Sequence, residues 1–395
     1  MNKRNHLVYL GVSGFPKGLA AIQRQLLVSK GLSENGWDIT ILCSGSVHQK
    51  ESNIPKEGTF EGIYFKYIFS PYREENFFKR NLQKKISIFF ELYELIKLNK
   101  KQKIDAVLIS NTNIFWYAFI IFLVSKILKF KSVLSLVEIY KSRTNITFFK
   151  RINDKLFNQF GLYFFDAYFP ISHQLIEHFK HFKLPYFYFP ILVDSKKFDE
   201  IKVNSARDIN YLFCGAAGYP KTIEYTIKAF EKANVPNAIL ILVSNGSHKE
   251  IKQIKLQIQN SPKNATIFHK QNLSELELYE YYKNATALLL PLYSTIQDES
   301  RFPHKLGEYL ASGNPVITCQ IGELKYYLKH KESAFICTPN NILEFAGYME
   351  YVSNNAEIAK LVGEKGKLIC KENFDYLTLG KQCSIFLTQL IQNAK

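Results

Sequence analysis

The chain has 395 residues, 47% of them hydrophobic and 22% charged; it can fill two buried cores and is not disordered by composition. Nineteen Gly and 13 Pro are too few for a fibrous or linker-like protein. The net charge of +16 divides unevenly, +12 in residues 1–195 (27 Lys and Arg against 15 Asp and Glu) and +4 in residues 196–395 (24 against 20), and it invites three partners: nucleic acid, an anionic membrane surface, or phosphate-bearing small molecules.

At the start, Lys3 and Arg4 precede only a short apolar run, Leu7 to Val12, which is too short for a signal peptide and suits a first strand. Further β-branched segments, 38–43, 63–69, 105–110 and 131–137, read as strands. Amphipathic patterns over 17–35, 76–99 and 113–130 separate several of them as helices. The longest apolar run, Ile114 to Val124, is about half the ~20 residues a membrane-spanning helix needs. Six scattered cysteines without a C-x-x-C pair fit neither a zinc site nor a disulfide framework, and a reducing, cytoplasmic setting is expected.

The alternation pauses over 194–208, a polar, charge-rich stretch, and then restarts. Strands are expected at 209–214, 238–243, 265–269, 285–290, 315–319 and 333–337, with helices at 221–233, 248–259, 274–284, 303–312, 341–352 and 357–371. A last helical pattern, 376–392, has no strand after it. This β-α-β alternation predicts an α/β chain of two Rossmann-like, doubly wound domains facing across a cleft. The domains are expected over 1–195 and 205–375, with 376–395 packing back on the first.

Open α/β sheets bind ligands beyond the carboxyl ends of their strands, near helix N-termini. After the first strand comes Gly11-Val-Ser-Gly14-Phe-Pro-Lys17-Gly18, where Gly14 allows a backbone to approach a phosphate closely. The spacing matches neither a P-loop nor G-x-G-x-x-G, and an ordinary Gly-rich turn reads equally well. The second half opens the same way, with Gly215-Ala-Ala-Gly218-Tyr-Pro-Lys221 after its first strand. The longest informative stretch runs from Ser300-Arg301-Phe302-Pro303 through His-Lys305-Leu-Gly-Glu308 to Thr318. Pro303 suits the first turn of a helix and Gly313 its end. On that helix Lys305 and Glu308 share a face, so that Glu308 is placed either to accept two hydrogen bonds from a vicinal diol or to form a surface ion pair.

FPHKLGEYLASGNPVIT resembles the C-terminal signature of family four retaining glycosyltransferases, in the branch that reads F-P-x-K-x-x-E-Y-L-A-x-G-x-P-V. Pro190-Ile-Leu-Val-Asp194 and Phe213-Cys-Gly215 through Lys221 resemble further landmarks of that family, in the same order. The resemblance implies the GT-B fold and a metal-independent transfer of sugar from a nucleotide diphosphate-sugar, with no other cofactor. In that reading Glu308 holds the donor ribose. Lys221 and Lys305 neutralise the diphosphate leaving group, and backbone amides near Gly14 and Gly215 add to that stabilisation.

Departures bear on the same positions. Ser300 stands where the family motif has its first Glu, and Ala216 where an Arg follows the glycine, with Arg301 or Lys305 the candidates to replace it. Glu138 is the acid at the expected acceptor loop. Cationic segments at 79–85 and 97–103 and aromatics through 148–164 and 179–189 fit either docking on an anionic leaflet or a solvated face over a buried helix. Nucleic acid is not an expected partner, because no binding motif accompanies the charge. The expected acceptor is a glycan or lipid-linked glycan of surface polysaccharide assembly. The alternative is a non-catalytic, nucleotide- or membrane-binding scaffold, which Ser300 and Ala216 favour; a GT-B epimerase or phosphorylase ranks below both.

Overall fold

The computed structural model describes residues 4–393 apart from 12, 13, 19, 46, 111, 113, 138–146 and 204–207. The chain divides into two compact units, Met1–Leu192 with Tyr376–Lys395, and Val193–Asp375.

The first unit is built on β1 (Asn5–Leu10), α1 (Ala20–Glu34), β2 (Trp37–Cys43), β3 (Glu57–Phe60), β4 (Ile63–Tyr67), α2 (Phe77–Lys101), β5 (Ala106–Ser110), α3 (Phe115–Leu128), β6 (Lys131–Leu136), α4 (Phe148–Phe160), β7 (Ala167–Pro170) and α5 (His173–Phe179). Its sheet has the order β3-β4-β2-β1-β5-β6-β7, parallel except for β3. Nearly every residue of β1, β2, β5, β6 and β7 is buried, as a sheet covered on both faces requires. Chain direction across the sheet reverses between β1 and β5, so the loop after β1 sits where such sheets place ligands.

Four elements of this unit were not read from the pattern, among them the seven-residue α5. Strand β3 pairs with β4 through Glu61-Gly62, both at positive φ (45° and 80°), the two-residue turn whose twist suits a hairpin. Strand β7 is only four residues long, too short to show a period. Helix α4 is amphipathic but so rich in Phe that its helical spacing is hidden.

The second unit contains α6 (Lys196–Asp199), β8 (Asn210–Cys214), α7 (Pro220–Lys232), β9 (Ile239–Val243), α8 (His248–Gln259), β10 (Ile267–Lys270), α9 (Glu275–Asn284), β11 (Ala287–Leu290), α10 (Ile296–Ser300), α11 (His304–Ser312), β12 (Val316–Cys319), α12 (Leu324–Tyr327), β13 (Phe335–Cys337), α13 (Ile342–Asn354) and α14 (Ala356–Asn373). Its all-parallel sheet runs β10-β9-β8-β11-β12-β13, with the reversal between β8 and β11. The polar stretch 194–208 is not simply a connector. Within it Phe198 is fully buried against Tyr279, the Ser195 hydroxyl donates to Asp375 at 2.9 Å, and Asp199 pairs with Lys367 and Lys371. One aromatic residue in a charged segment was the sign of that anchoring.

The final helix, α15 (Tyr376–Gln392), belongs to the first unit and lies against α1. Leu379, Cys383 and Leu387 enter its core, and the Trp37 indole donates to the Ser384 hydroxyl at 3.0 Å. The helices approach closely because glycine meets glycine. A Cβ on Gly380 would fall 2.5 Å from the backbone of Gly31, and one on Gly31 would fall 2.5 Å from the carbonyl oxygen of Tyr376. Gly347, exposed on α13, has nothing within 4 Å of its Cβ position. Gly380→Ala is therefore expected to lower stability by about 1–3 kcal/mol through overpacking. Gly347→Ala should raise it by about 0.5–1 kcal/mol through helix propensity. Thermal and urea unfolding of the two variants checks both signs.

Candidate active site

The crossover between β8 and β11 assembles the residues singled out in the second half of the sequence. Strand β8 ends at Cys214, and the backbone amides of Gly215 and Ala217 donate to the carbonyls of Val243 and Asn245, which ties the loop to the end of β9. Gly215 is required there, since a Cβ would meet the Phe213 ring at 2.7 Å. Pro220 then opens α7, which lacks a side-chain cap, and Lys221 follows, exposed.

Helix α11 begins at Pro303, whose extended ψ of 116° ends the preceding segment, and stops at Gly313 in the left-handed conformation (φ 78°). Its buried face, Leu306, Tyr309 and Leu310, packs toward the sheet. The Tyr309 hydroxyl accepts the amide N–H of Cys214 at 2.8 Å, which locks the helix to the end of β8. Lys305 and Glu308 thereby come to the carboxyl end of the sheet. Their Nζ and Oε2 atoms are 2.7 Å apart, and the ammonium lies 5.7 Å from the centre of the Tyr282 ring. The two side chains are 29% and 18% exposed, so neither is sealed in the interior.

Burial alone would discharge Lys305, but the adjacent Glu308 carboxylate, helped by Cys214, outweighs it and holds the lysine pKa above its ordinary value. Burial likewise pushes the Cys214 thiol up despite the nearby ammonium, so it remains a thiol. The phenols of Tyr282 and Tyr309 are raised well above the usual range, also by burial, and stay neutral. The result is a carboxylate and an ammonium on a floor of neutral aromatic groups.

The 291–302 segment closes over the β8–α7 loop. The Tyr293 hydroxyl donates to the Lys221 carbonyl at 2.8 Å, and its own amide donates to Asp298 at 3.0 Å. Arg301 donates to the Tyr219 hydroxyl at 2.9 Å, so its guanidinium stands over the loop in which Ala216 lacks a cation. Ser300 and Phe302, read from the sequence as donor-binding residues together with Arg301 and Pro303, are both buried. Ser300 is buried at the end of α10, and Phe302 is buried between Tyr327 (ring centroids 5.6 Å apart) and Phe374 (5.4 Å). Both seat the loop from inside. Pro303 is half-buried at the start of α11.

In the first unit, Gly14 is buried with φ 111°, and a Cβ there would lie 3.1 Å from Val47. Its neighbour Phe15 presents its carbonyl to the Tyr67 hydroxyl at 2.6 Å. Glu138 lies outside the described residues. The sequence reading did not single out Tyr219, Tyr282, Tyr293, Asp298 or Tyr309; the one signal was Tyr309, four residues after Lys305 on the same helix.

Removal of the Glu308 charge leaves burial to act on Lys305 unopposed. In Glu308→Gln the Lys305 pKa is expected to fall below its wild-type value, read by side-chain NMR of lysine-labelled protein. A lysine with a raised folded pKa contributes its stability below the unfolded value and loses it as pH rises through the folded one. The stability advantage of wild type over Glu308→Gln should therefore be full below the variant's lowered Lys305 pKa and shrink as pH rises through it into alkaline solution.

Comparison with known proteins bears on this arrangement. Residues 194–368 match the family model for glycosyl transferases group 1, and this part of the chain is a domain of that kind. The chain is 27% identical over 177 residues to the uncharacterized glycosyltransferase MJ1607 of Methanocaldococcus jannaschii, a match that spans 40% of this chain and less than half (43%) of that protein. Among solved structures it is similar to a sucrose-phosphate synthase of Thermosynechococcus elongatus (TM-score 0.76, 14% identity, 99% of this chain and 100% of the other). It is also similar to a glycosyltransferase of Rickettsia africae (0.73, 17%, 100% of both). A third is HepE of Anabaena, solved with UDP-glucose (0.72, 13%, 98% and 100%). At these identities the likeness shows the fold, which is the GT-B fold.

Proposed function

We infer that the protein is a glycosyltransferase that moves a sugar from a nucleotide diphosphate-sugar to a hydroxyl of a glycan or lipid-linked glycan acceptor. The observation that carries this reading is the partly buried Lys305–Glu308 pair at the carboxyl end of β8, beside the glycine loop that ends in Lys221. In the proposed complex Glu308 accepts hydrogen bonds from the donor ribose. Its pairing with Lys305 does not preclude this, because a carboxylate has about four lone-pair sites. Lys221 and Lys305, with the amides near Gly215, stabilise the charge that builds on the diphosphate as the glycosidic bond breaks. The proposed role of Arg301, whose guanidinium donates to the Tyr219 hydroxyl beside the loop, is to supply the cation that Ala216 does not.

Retention of anomeric configuration and independence of a metal ion are part of the proposal; the F-P-x-K-x-x-E stretch and the fixed cations at the loop support them. The structures of HepE with UDP-glucose and of a related chain described as bound with UDP-2-fluoro glucose support a uridine diphosphate-sugar as the first donor to assay. On this reading Lys221→Ala and Glu308→Ala should each lower turnover by about 10²–10³-fold. Transfer or slow hydrolysis of nucleotide sugars by the purified protein measures it. Unchanged turnover in both variants removes these roles, and binding without turnover across donors and acceptors favours the scaffold instead.

The acceptor side is proposed to work peripherally on the cytoplasmic face of a membrane. Among the described residues no helix is long and apolar enough to cross a bilayer. The first unit nevertheless exposes Phe77 and Phe78 on α2 and Phe148 and Phe149 on α4, with Phe78 and Phe149 each 82% exposed, beside Lys79, Lys84, Lys150 and Arg151. Aromatic rings flanked by cations suit insertion at an anionic interface. Phe78→Ser with Phe149→Ser should abolish cosedimentation with vesicles containing phosphatidylglycerol and leave the thermal midpoint unchanged, because neither side chain is in the core.

A further inference from the structure

A second concentration of positive charge lies in the first unit, well apart in sequence from the loops already described. A cavity of about 550 Å³ is lined by His48, Gln49, Lys50, Arg73, Glu75 and Arg80. Two chain segments build its wall. The amides of Val47 and His48 donate to the Pro71 carbonyl, and the Arg73 amide donates back to the His48 carbonyl at 2.8 Å, which sets the 47–50 and 71–73 stretches side by side. The first turn of α2 completes the wall. Asn76 caps that helix, and Arg80 donates to the Glu74 carbonyl at 3.2 Å.

The charges here are not balanced internally. Lys50, Arg73 and Arg80 make no ion pair among the described residues, and Glu75 is the one carboxylate in the lining. Three cations held around one hollow repel each other, and an anion relieves that cost. Two arginines in the set favour an oxyanion that accepts paired hydrogen bonds, as a phosphate ester does.

The cavity is also connected to the first glycine loop. Tyr67 has a single hydroxyl proton, which it donates to the Phe15 carbonyl at 2.6 Å. The 2.8 Å contact between the Tyr67 oxygen and His48 Nε2 must then be a donation from histidine, which fixes the ring tautomer. His48 thus bridges the cavity wall to the Gly14–Phe15 turn. On the other side, Arg80 lies 5.7 Å from the ring centre of Phe77, next to the exposed Phe78.

We propose that the hollow formed by His48, Lys50, Arg73 and Arg80 is a phosphate site that holds the phosphate or diphosphate ester of a lipid-linked acceptor. The position joins a cationic cavity to an exposed aromatic pair, so a ligand with an ionic group next to a hydrocarbon chain satisfies both. The assignment of the ester to an acceptor rests on the transferase reading above; the phosphate site itself does not.

The test is calorimetric titration of the full chain and of Arg73→Gln/Arg80→Gln with inorganic pyrophosphate and with geranyl diphosphate. Each is repeated in a Lys221→Ala background to remove binding at the second unit's loop. Flotation with phosphatidylcholine vesicles, with and without phosphatidylglycerol, runs in parallel. Loss of two charged hydrogen-bond donors should weaken geranyl diphosphate by at least about tenfold in both backgrounds, with an unchanged thermal midpoint as the control for folding. Equal affinity in variant and parent overturns the proposal. A loss seen only with phosphatidylglycerol vesicles assigns the cations to bulk headgroups and overturns the acceptor assignment. If the wild type turns over no nucleotide sugar while the geranyl diphosphate difference persists, the transferase reading fails and the phosphate site stands.

Discussion

An ammonium and a carboxylate 2.7 Å apart, both largely withdrawn from water, set the terms on which the second unit can meet a ligand. Burial alone would discharge Lys305 at that depth; the adjacent Glu308 carboxylate keeps it ionised. Their mutual neutralisation means that the pair supplies directed hydrogen bonds more than net charge. Net positive charge comes from Lys221, which is exposed and makes no ion pair among the described residues. In the proposed donor complex these two environments receive the neutral diol and the anionic phosphate respectively. The helix that carries the pair is held in place by one buried phenol, Tyr309, bonded to the last amide of β8.

The two units repeat one construction. In each, the sheet reverses direction beside its first strand, and a glycine loop leaves that strand. The reason for glycine differs. Gly14 is needed for its left-handed backbone, whereas Gly215 has no positive φ and is needed because Phe213 occupies the space of a side chain. The loops also differ in how they are fixed. One is tied by Tyr67 and, through it, His48. The other is tied by Tyr293 and by Arg301 acting on Tyr219. In both cases tyrosine hydroxyls hold backbone or side chain near the loop, which is one use for the 24 tyrosines of the chain.

Much of this was legible before any coordinates. Buried parallel strands are continuous apolar runs, and those runs located β1, β2, β5, β6 and every strand of the second sheet to within a few residues. What escaped was short, such as β7, or depended on turn geometry, such as the β3–β4 hairpin. The F-P-x-K-x-x-E pattern located α11 and its charged pair, because proline, glycine and the three-residue spacing each have a local physical meaning. It did not reveal that Phe302 and Ser300 face inward. Exposure of an aromatic or hydroxyl residue next to a motif depends on partners such as Tyr327 and Phe374, which lie far along the chain. The cationic hollow escaped for the same reason: His48, Arg73 and Arg80 are brought together by pairing of two loops that no periodicity marks.

The return of α15 to the first unit has a consequence for biosynthesis. A ribosome that has completed residues 1–192 has made every strand of the first sheet but not the helix that covers α1. The apolar stripe of α1 around Leu27 and Gly31, destined for Leu379, Cys383 and Leu387, stays without its cover until about two hundred further residues have been translated. The second unit, continuous from Val193 to Asp375, has no such dependence and can close its core while the nascent first unit is still waiting.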